Sequence, residues 1–339
     1  MRRIIFALIG IATLFFGALP AFNWFVAARA RAKYPPLGNL YTVEGRAMHL
    51  YCVGTGSPTL VLEAGGGDEV LYWQTVQPEL AKTTQVCSYD RAGLGWSEPQ
   101  AGRRDAEAIA RQLHALLDEA RIARSIVIAG ASVGGYYVRE YVREYPTEVA
   151  GVAFLDASSP HQIDELPGSR AWYDAERARR PREVKWNRLK IWSGWNRLMG
   201  RCKADVPKVQ ENLRAAYDAE ECRPGFVGGD VGEFIEFERQ GDQAARLTSV
   251  GDLPVLVLSQ DPDRPKIGWT ADAIAAQPVW FREQENLKSL STHSWRVIAR
   301  GASHHVHHDR PEVALEEMNR LISYIRGGAA PQFGSTIVE

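Results

Sequence analysis

Hydrophobic positions along the chain form short apolar runs that alternate with longer polar or amphipathic segments. Residues 59–63, 85–89 and 126–129 are short and largely apolar, and a polar or helix-like segment follows each of them. The same alternation returns at 254–259 and 295–299. Strands that alternate with helices are typical of a doubly wound, mostly parallel sheet, in which ligands bind at the carboxyl ends of the strands. The pattern therefore predicts an α/β domain with its site at that edge.

The alternation stops between residues 157 and 250. This stretch is polar, has a helical pattern and contains four tryptophans, so we interpret it as a cap inserted into the domain. The core then comprises residues 36–156 and 251–327, and the tail at 328–339 is predicted to be disordered. A chain of 339 residues is long enough for one large core with an insertion.

Residues 1–35 differ from the rest of the chain. An uncharged and largely apolar run from Ile4 to Ala28 follows two arginines and precedes three further basic residues. The run is long enough to span a bilayer and longer than the apolar region of a cleaved signal peptide. We predict an N-terminal membrane-spanning anchor, with a cleaved signal and a buried N-terminal helix as the alternatives.

Charge and cysteine content narrow the function classes. Lys and Arg number 40 against 41 Asp and Glu, so no global field favours nucleic acid as a partner. Cys202 and Cys222 bracket a short polar stretch, as a disulfide in a loop does. With the anchor, this predicts a domain on the oxidising, periplasmic or extracytoplasmic side of a membrane. Neither zinc-ligand spacing nor a dinucleotide fingerprint is present, so we predict no metal and no cofactor.

Ser132 directly follows one of the predicted strands. The run 126–129 leads into Gly130-Ala131-Ser132-Val133-Gly134, and a helix-like segment extends from 135 to 145. Small residues around a serine allow a strained turn between strand and helix, which exposes the hydroxyl at the helix N-terminus. The backbone N–H of Val133 then points to where an oxyanion forms, and the helix dipole favours that charge. A structural Gly-Ser turn is the alternative.

Several segments in the same order resemble the lipase- and esterase-like branch of the α/β-hydrolase superfamily over about residues 41–326. These segments are Ala64-Gly65-Gly66, residues 89–97, Gly130-Ala131-Ser132-Val133-Gly134 and residues 301–311. The resemblance implies a doubly wound, mostly parallel eight-stranded sheet with an inserted helical cap. It also implies that the second and fourth strands are neighbours, which would put Cys52 beside Cys87; buried free thiols are the alternative.

The resemblance implies particular roles for four residues. Ser132 would be the nucleophile, His304 the general base and acid, and the N–H groups of Val133 and Gly66 the oxyanion hole. His304 is chosen among four clustered histidines because the family histidine stands five residues before the aspartate that precedes the last helix, here Asp309. A metal site built from these histidines is the alternative.

The resemblance also implies an acid for the triad, whose usual site in the family follows the seventh strand. Spacing favours Asp263, with Asp261 close behind it. Some members of the fold carry the acid after the sixth strand instead, where this chain has Asp156, so both alternatives stay open.

These inferences predict a membrane-anchored serine hydrolase that cleaves an ester or related acyl bond in a small, apolar acyl substrate. Acyl transfer, thioester cleavage and C–C bond cleavage would use the same triad, because they differ only in the cap and the pocket. A membrane-tethered binding protein without activity is the alternative from another class.

Overall fold

Nine strands form one mixed sheet in the computed structural model of this protein, which describes residues 2–203, 213–223, 229–264 and 269–339. Parts of the predicted cap, at 204–212 and 224–228, lie outside the described residues. The strand order across the sheet is β1-β2-β4-β3-β5-β6-β7-β8-β9. The strands are β1 Asn39–Val43, β2 Arg46–Val53, β3 Leu60–Glu63, β4 Val86–Tyr89, β5 Ile126–Ala131, β6 Val149–Leu155, β7 Val255–Ser259, β8 Ser294–Ala299 and β9 Gly334–Val338.

Fourteen helices are described around this sheet. They are α1 Arg2–Thr13, α2 Leu19–Lys33, α3 Gln77–Leu80, α4 Ala106–Glu119, α5 Gly134–Glu144, α6 Gln162–Glu165, α7 Ser169–Trp192, α8 Trp195–Leu198, α9 Arg214–Glu221, α10 Gly229–Ile235, α11 Phe237–Ala244, α12 Ala271–Lys288, α13 Val306–Asp309 and α14 Pro311–Ile325. A π-helical turn, Leu14–Ala18, joins α1 to α2, and 3₁₀ turns cover Val70–Thr75 and Pro146–Glu148. Helices α6 to α11 form the cap between β6 and β7.

Central strands such as β3, β4, β5 and β7 are buried along their whole length because helices cover both faces of the sheet. In β3, Leu60 and Leu62 pack towards α3 and α14, whereas Val61 packs towards α4, α5 and α12. All strand pairs are parallel except β1 with β2 and β2 with β4. The carboxyl ends of β3, β5, β6 and β7 therefore meet at one edge, as the sequence predicts.

The predicted count of eight strands is wrong, because the C-terminal residues add a ninth. β9 pairs in parallel with β8, from Trp295 opposite Gly334 to Ala299 opposite Val338. The sequence predicts a disordered tail at 328–339, whereas residues 334–338 of it form β9. Its Ile337 and Val338 nevertheless complete a ladder that a single-chain pattern does not reveal.

The predicted membrane-spanning N-terminal helix is also wrong. None of the helices among the described residues is both long enough and apolar enough to cross a bilayer. The run from Ile4 to Ala28 is divided between α1, the π-helical turn and α2. One side of α2 lies against the cap instead: Asn23 is fully buried and donates from Nδ2 to the carbonyl oxygen of Ile191 at 2.7 Å.

Both predicted disulfides are present. Cys52 and Cys87 face each other across β2 and β4, with their Cα atoms 4.0 Å apart. Cys202 and Cys222 link the segment after α8 to the end of α9, across the part of the cap outside the described residues. One bridge therefore lies in the core and the other in the cap.

Candidate active site

Ser132 occupies a strained turn between β5 and α5. Its φ of +52° lies in the left-handed region, which a non-glycine residue adopts only when its surroundings enforce it. Those surroundings leave no room for side chains on the flanking glycines. A Cβ on Gly130 would lie 2.7 Å from the carbonyl oxygen of Gly134, and one on Gly134 would lie 2.8 Å from that of Ala64. Gly130 is therefore required where β5 crosses α5, and Gly134 is required where α5 approaches the backbone at the end of β3.

The loop after β3 lies directly against this turn. A Cβ on Gly65 would lie 3.5 Å from the Cβ of Ser132, and one on Gly66 would lie 3.4 Å from Cγ1 of Val133. Gly66 and Val133 both line the same cavity as Ser132. The glycines of this loop thus place backbone atoms without side chains beside Ser132 and the N-terminus of α5.

His304 reaches the same cavity from the segment between β8 and α13. Its Nδ1 lies 2.7 Å from Oδ2 of Asp156, which follows β6 and is fully buried. Because an ionised carboxylate only accepts hydrogen bonds, Nδ1 carries the proton and Nε2 is left with its lone pair. Asp156 is itself held by the backbone N–H of Gln260 at 3.1 Å and by Nε1 of Trp280 at 3.0 Å.

Asp263, which spacing predicted as the acid, is not the partner of His304. Its side chain is 73 % exposed and accepts a hydrogen bond from Nη1 of Arg300 at 2.6 Å. Asp261 also contacts Arg300, at 3.0 Å, and accepts from the backbone N–H of Gly301. Both carboxylates of the loop after β7 are therefore turned to the arginine. Asp156, the alternative after the sixth strand, is the carboxylate that meets His304.

The neighbouring histidines point elsewhere. Nδ1 of His305 lies 3.0 Å from the hydroxyl of Tyr72, and Nε2 of His308 donates to the carbonyl oxygen of Tyr72 at 2.9 Å. His307 is buried and packs against the rings of Tyr72 and Trp73. These three histidines therefore contact the 3₁₀ turn at 70–75 through Tyr72 and Trp73.

A second carboxylate, Asp68, lies in the cavity close to Gly65. Burial raises the pKa of Asp68 to about 6, although the charges of Arg91 and His304 oppose this shift. Burial alone would lower the pKa of His304. The hydrogen bond and charge of Asp156, together with the charge of Asp68, raise the pKa of His304 above its usual value. The imidazolium form is therefore favoured by two carboxylates.

Arg91 forms hydrogen bonds both to the loop after β3 and to the cap. Its guanidinium donates to the carbonyl oxygens of Ala64 and Gly65 at 2.9 and 2.6 Å, and to Glu63 at 2.7 Å. It also makes two bonds of 2.8 Å to Glu233 on α10 of the cap. All three charged side chains are buried, so the loop beside Ser132 and the cap share one ion network.

The cavity itself lies between the core and the cap and has a volume of about 1690 Å³. Ser132, Gly66 and His304 line its floor, and Trp280 packs edge-on against His304. Aromatic side chains of the cap line the other side, namely Trp172, Tyr173, Trp186, Phe234 and Phe237. The space exceeds that of a usual small-molecule pocket, and its cap side combines these rings with charged side chains such as Arg179, Glu183 and Lys190.

Sequence reasoning missed Trp280, Gln260, Asp68 and Arg91. Asp68 and Arg91 follow the predicted third and fourth strands directly, so their position at the active edge of the sheet was a usable signal. Trp280 lies within α12 and carries no such signal.

Comparisons with known proteins agree with this architecture. The profile of a family described as alpha/beta hydrolase fold matches residues 58–191. The protein YqjL of Bacillus subtilis (strain 168) is 22% identical over 274 residues, covering 80% of this chain and 87% of that protein. An esterase from Thermogutta terrifontis is 20% identical with a TM-score of 0.61, covering 85% of this chain and 98% of its own. The epoxide hydrolase CorEH is 17% identical, also with a TM-score of 0.61, over 85% and 99%. At these identities the two solved structures share the fold with this chain.

Proposed function

The chain belongs to the α/β-hydrolase superfamily and is a hydrolase, and from that premise we propose that it cleaves a carboxylic ester or related acyl bond through a Ser132 acyl-enzyme. The observation that carries the proposal is the buried Asp156 bound at 2.7 Å to His304, in the cavity where Ser132 stands on its strained turn. Serine is a weak nucleophile until a base takes its proton, and this arrangement supplies a base with a fixed tautomer.

In the proposed mechanism, Nε2 of His304 takes the proton of Ser132 as Oγ attacks the carbonyl carbon of the substrate. Asp156 stabilises the imidazolium that forms, and the N–H groups of Val133 and Gly66 bind the developing oxyanion. His304 then gives its proton to the leaving alcohol, which departs and leaves the acyl group on Ser132. Water attacks the acyl-enzyme by the same route and releases the acid.

The lining of the cavity supports an apolar acyl group as the substrate moiety. The cap contributes aromatic rings to the wall opposite Ser132, and burial of an acyl chain there contributes roughly 0.8 kcal/mol per methylene. The volume of about 1690 Å³ accommodates more than a short acyl chain.

Labelling with a fluorophosphonate tests the proposal, because this reagent reacts with an activated serine. We expect stoichiometric labelling of the wild type at Ser132, and neither labelling nor hydrolysis of a p-nitrophenyl ester by Ser132→Ala. Ser158→Ala is the matched control, since Ser158 lines the same cavity and should leave labelling intact. Undiminished turnover by Ser132→Ala would refute the proposed nucleophile.

We further propose that the protein works in an oxidising compartment. The proposal is supported by the two disulfides, Cys52–Cys87 and Cys202–Cys222, because such bridges persist mainly outside reducing compartments. Thiol counting on denatured protein, isolated from its native compartment without reductant, should find no free thiol. Four free thiols would contradict it.

A further inference from the structure

Two segments of the chain combine apolar and basic residues and contain no acidic residue. Residues 2–33 contain five Lys or Arg, and residues 184–203 contain six, yet neither segment has an Asp or Glu. The whole chain carries a net charge of −1, so this concentration of positive charge is local. The first segment forms α1 and α2, and the second forms the end of α7 and α8.

These two segments meet in the structure. The rings of Phe16 and Trp192 lie 6.1 Å apart, and Nε of Arg197 donates to Oδ1 of Asn23 at 2.8 Å. A Cβ on Gly194 would lie 2.7 Å from the carbonyl oxygen of Leu19, so the backbones are in close contact. The N-terminal helix and the cap therefore present one continuous surface.

Large apolar side chains are exposed on both parts of this surface. Phe22, Trp24 and Phe25 on α2 are each more than half exposed, as are Trp186 on α7 and Leu198 on α8. We call these five residues the apolar face. A soluble protein rarely exposes so many large apolar groups together unless they bind something.

We propose that the apolar face binds the surface of an anionic lipid bilayer, lying on it without crossing it. Tryptophan and phenylalanine insert at the level of the lipid headgroups, and Lys and Arg beside them attract anionic phosphates. The basic residues stand next to the apolar ones: Arg29 packs over the ring of Phe25 at 5.0 Å, and Lys185 and Lys190 flank Trp186 on α7. Both segments are positively charged, and an anionic membrane attracts positive charge.

The cavity that reaches Ser132 lies next to the apolar face, which links membrane binding to catalysis. Trp186 and Lys190 belong to the lining of the cavity that reaches Ser132. A bilayer held on the apolar face therefore lies beside the cap wall of the cavity, where an acyl chain can pass from lipid to protein. This step rests on the proposed function and gives it a substrate class, an ester of a lipid-like amphiphile.

Sedimentation of the full chain with vesicles tests the membrane contact independently of catalysis. We expect binding to vesicles of phosphatidylcholine mixed with phosphatidylglycerol, and much weaker binding to phosphatidylcholine alone. Phe22→Ser/Phe25→Ser and Arg29→Glu/Arg31→Glu should each weaken binding roughly tenfold or more. A control with the same charge change, Arg46→Glu/Arg103→Glu, alters exposed arginines elsewhere and should bind like the wild type.

Hydrolysis of a soluble short-chain ester should be unchanged in all of these variants, so loss of vesicle binding and loss of the proposed activity are distinguishable. Equal binding by the wild type and the Phe22/Phe25 variant would overturn the proposal. So would an equal loss in the arginine control, because the attraction would then not reside in this face. Sedimentation velocity without vesicles tests whether the apolar face binds a second copy of the chain instead. A wild-type dimer that is absent in the Phe22/Phe25 variant would assign the face to that second copy and overturn the proposal.

Discussion

Replacement of Asp156 by asparagine removes one charge from the candidate site with little change in shape. The carboxylate is fully buried, and its Oδ2 lies 2.7 Å from Nδ1 of His304. With charge centres roughly 4 Å apart and an effective dielectric constant of about 20, the carboxylate stabilises an imidazolium by about 4 kcal/mol. Loss of this electrostatic stabilisation alone lowers kcat about 10³-fold. An asparagine amide that donates to Nδ1 would also fix the wrong tautomer, which brings the expected loss to about 10⁴-fold.

Stopped-flow or steady-state hydrolysis of a p-nitrophenyl ester, with active sites counted by a fluorophosphonate, measures this loss. Asp263→Asn is the matched control, because it removes the same charge from a side chain that is 73 % exposed and bound to Arg300. We expect this control to stay within about threefold of the wild type, since exposed ion pairs contribute little. If Asp263→Asn is the crippled variant and Asp156→Asn is not, the hydrogen bond between Asp156 and His304 has no catalytic role and the proposed triad is refuted.

Three further predictions follow from the site and its supports. Asp68→Asn removes a negative charge that raises the pKa of the general base, so the acid limb of the pH profile of kcat/KM should move to lower pH; an unmoved limb would contradict this. Glu233→Gln leaves the buried Arg91 and its neighbour Arg104 under-neutralised and should lower the free energy of unfolding in urea by about 3–5 kcal/mol, against less than about 1 kcal/mol for Glu238→Gln at a partly exposed ion pair. Gly134→Ala forces a Cβ against backbone oxygens and should cost about 1–3 kcal/mol and most of the activity, whereas Gly17→Ala, with open space around it, should be neutral in thermal melts.

The central sheet and the position of Ser132 were predictable from sequence because both depend on local patterns. Buried strands, the glycines around the serine and the order of the segments are all readable along the chain. The neighbouring pair Cys52 and Cys87 came from the strand order that the family resemblance implies, and the register of β2 with β4 confirms it.

The N-terminal helix was mispredicted, and the pairing of Asp156 with His304 could only be left open, because each depends on contacts distant in sequence. Spacing alone cannot tell that Arg300 engages the carboxylate of Asp263, or that Trp280 from α12 supports Asp156. An apolar run likewise predicts that its side chains are buried, but it does not tell whether lipid or protein surrounds them. Here Asn23 is satisfied by the backbone of the cap, a contact 168 residues away along the chain.

The ninth strand affects the tendency of this protein to self-associate through the edge of its sheet. β8 is buried along its whole length, and without β9 its outer row of N–H and C=O groups would form an open sheet edge. Such an edge is a template for pairing with another chain, and the apolar side chains of β8 would strengthen that pairing. β9 covers this template with a short strand that alternates between half-buried and exposed residues. β9 therefore moves the open edge of the sheet from the buried strand β8 to a short, half-exposed strand, and a protein shortened before Gly334 should remain folded but self-associate in sedimentation velocity.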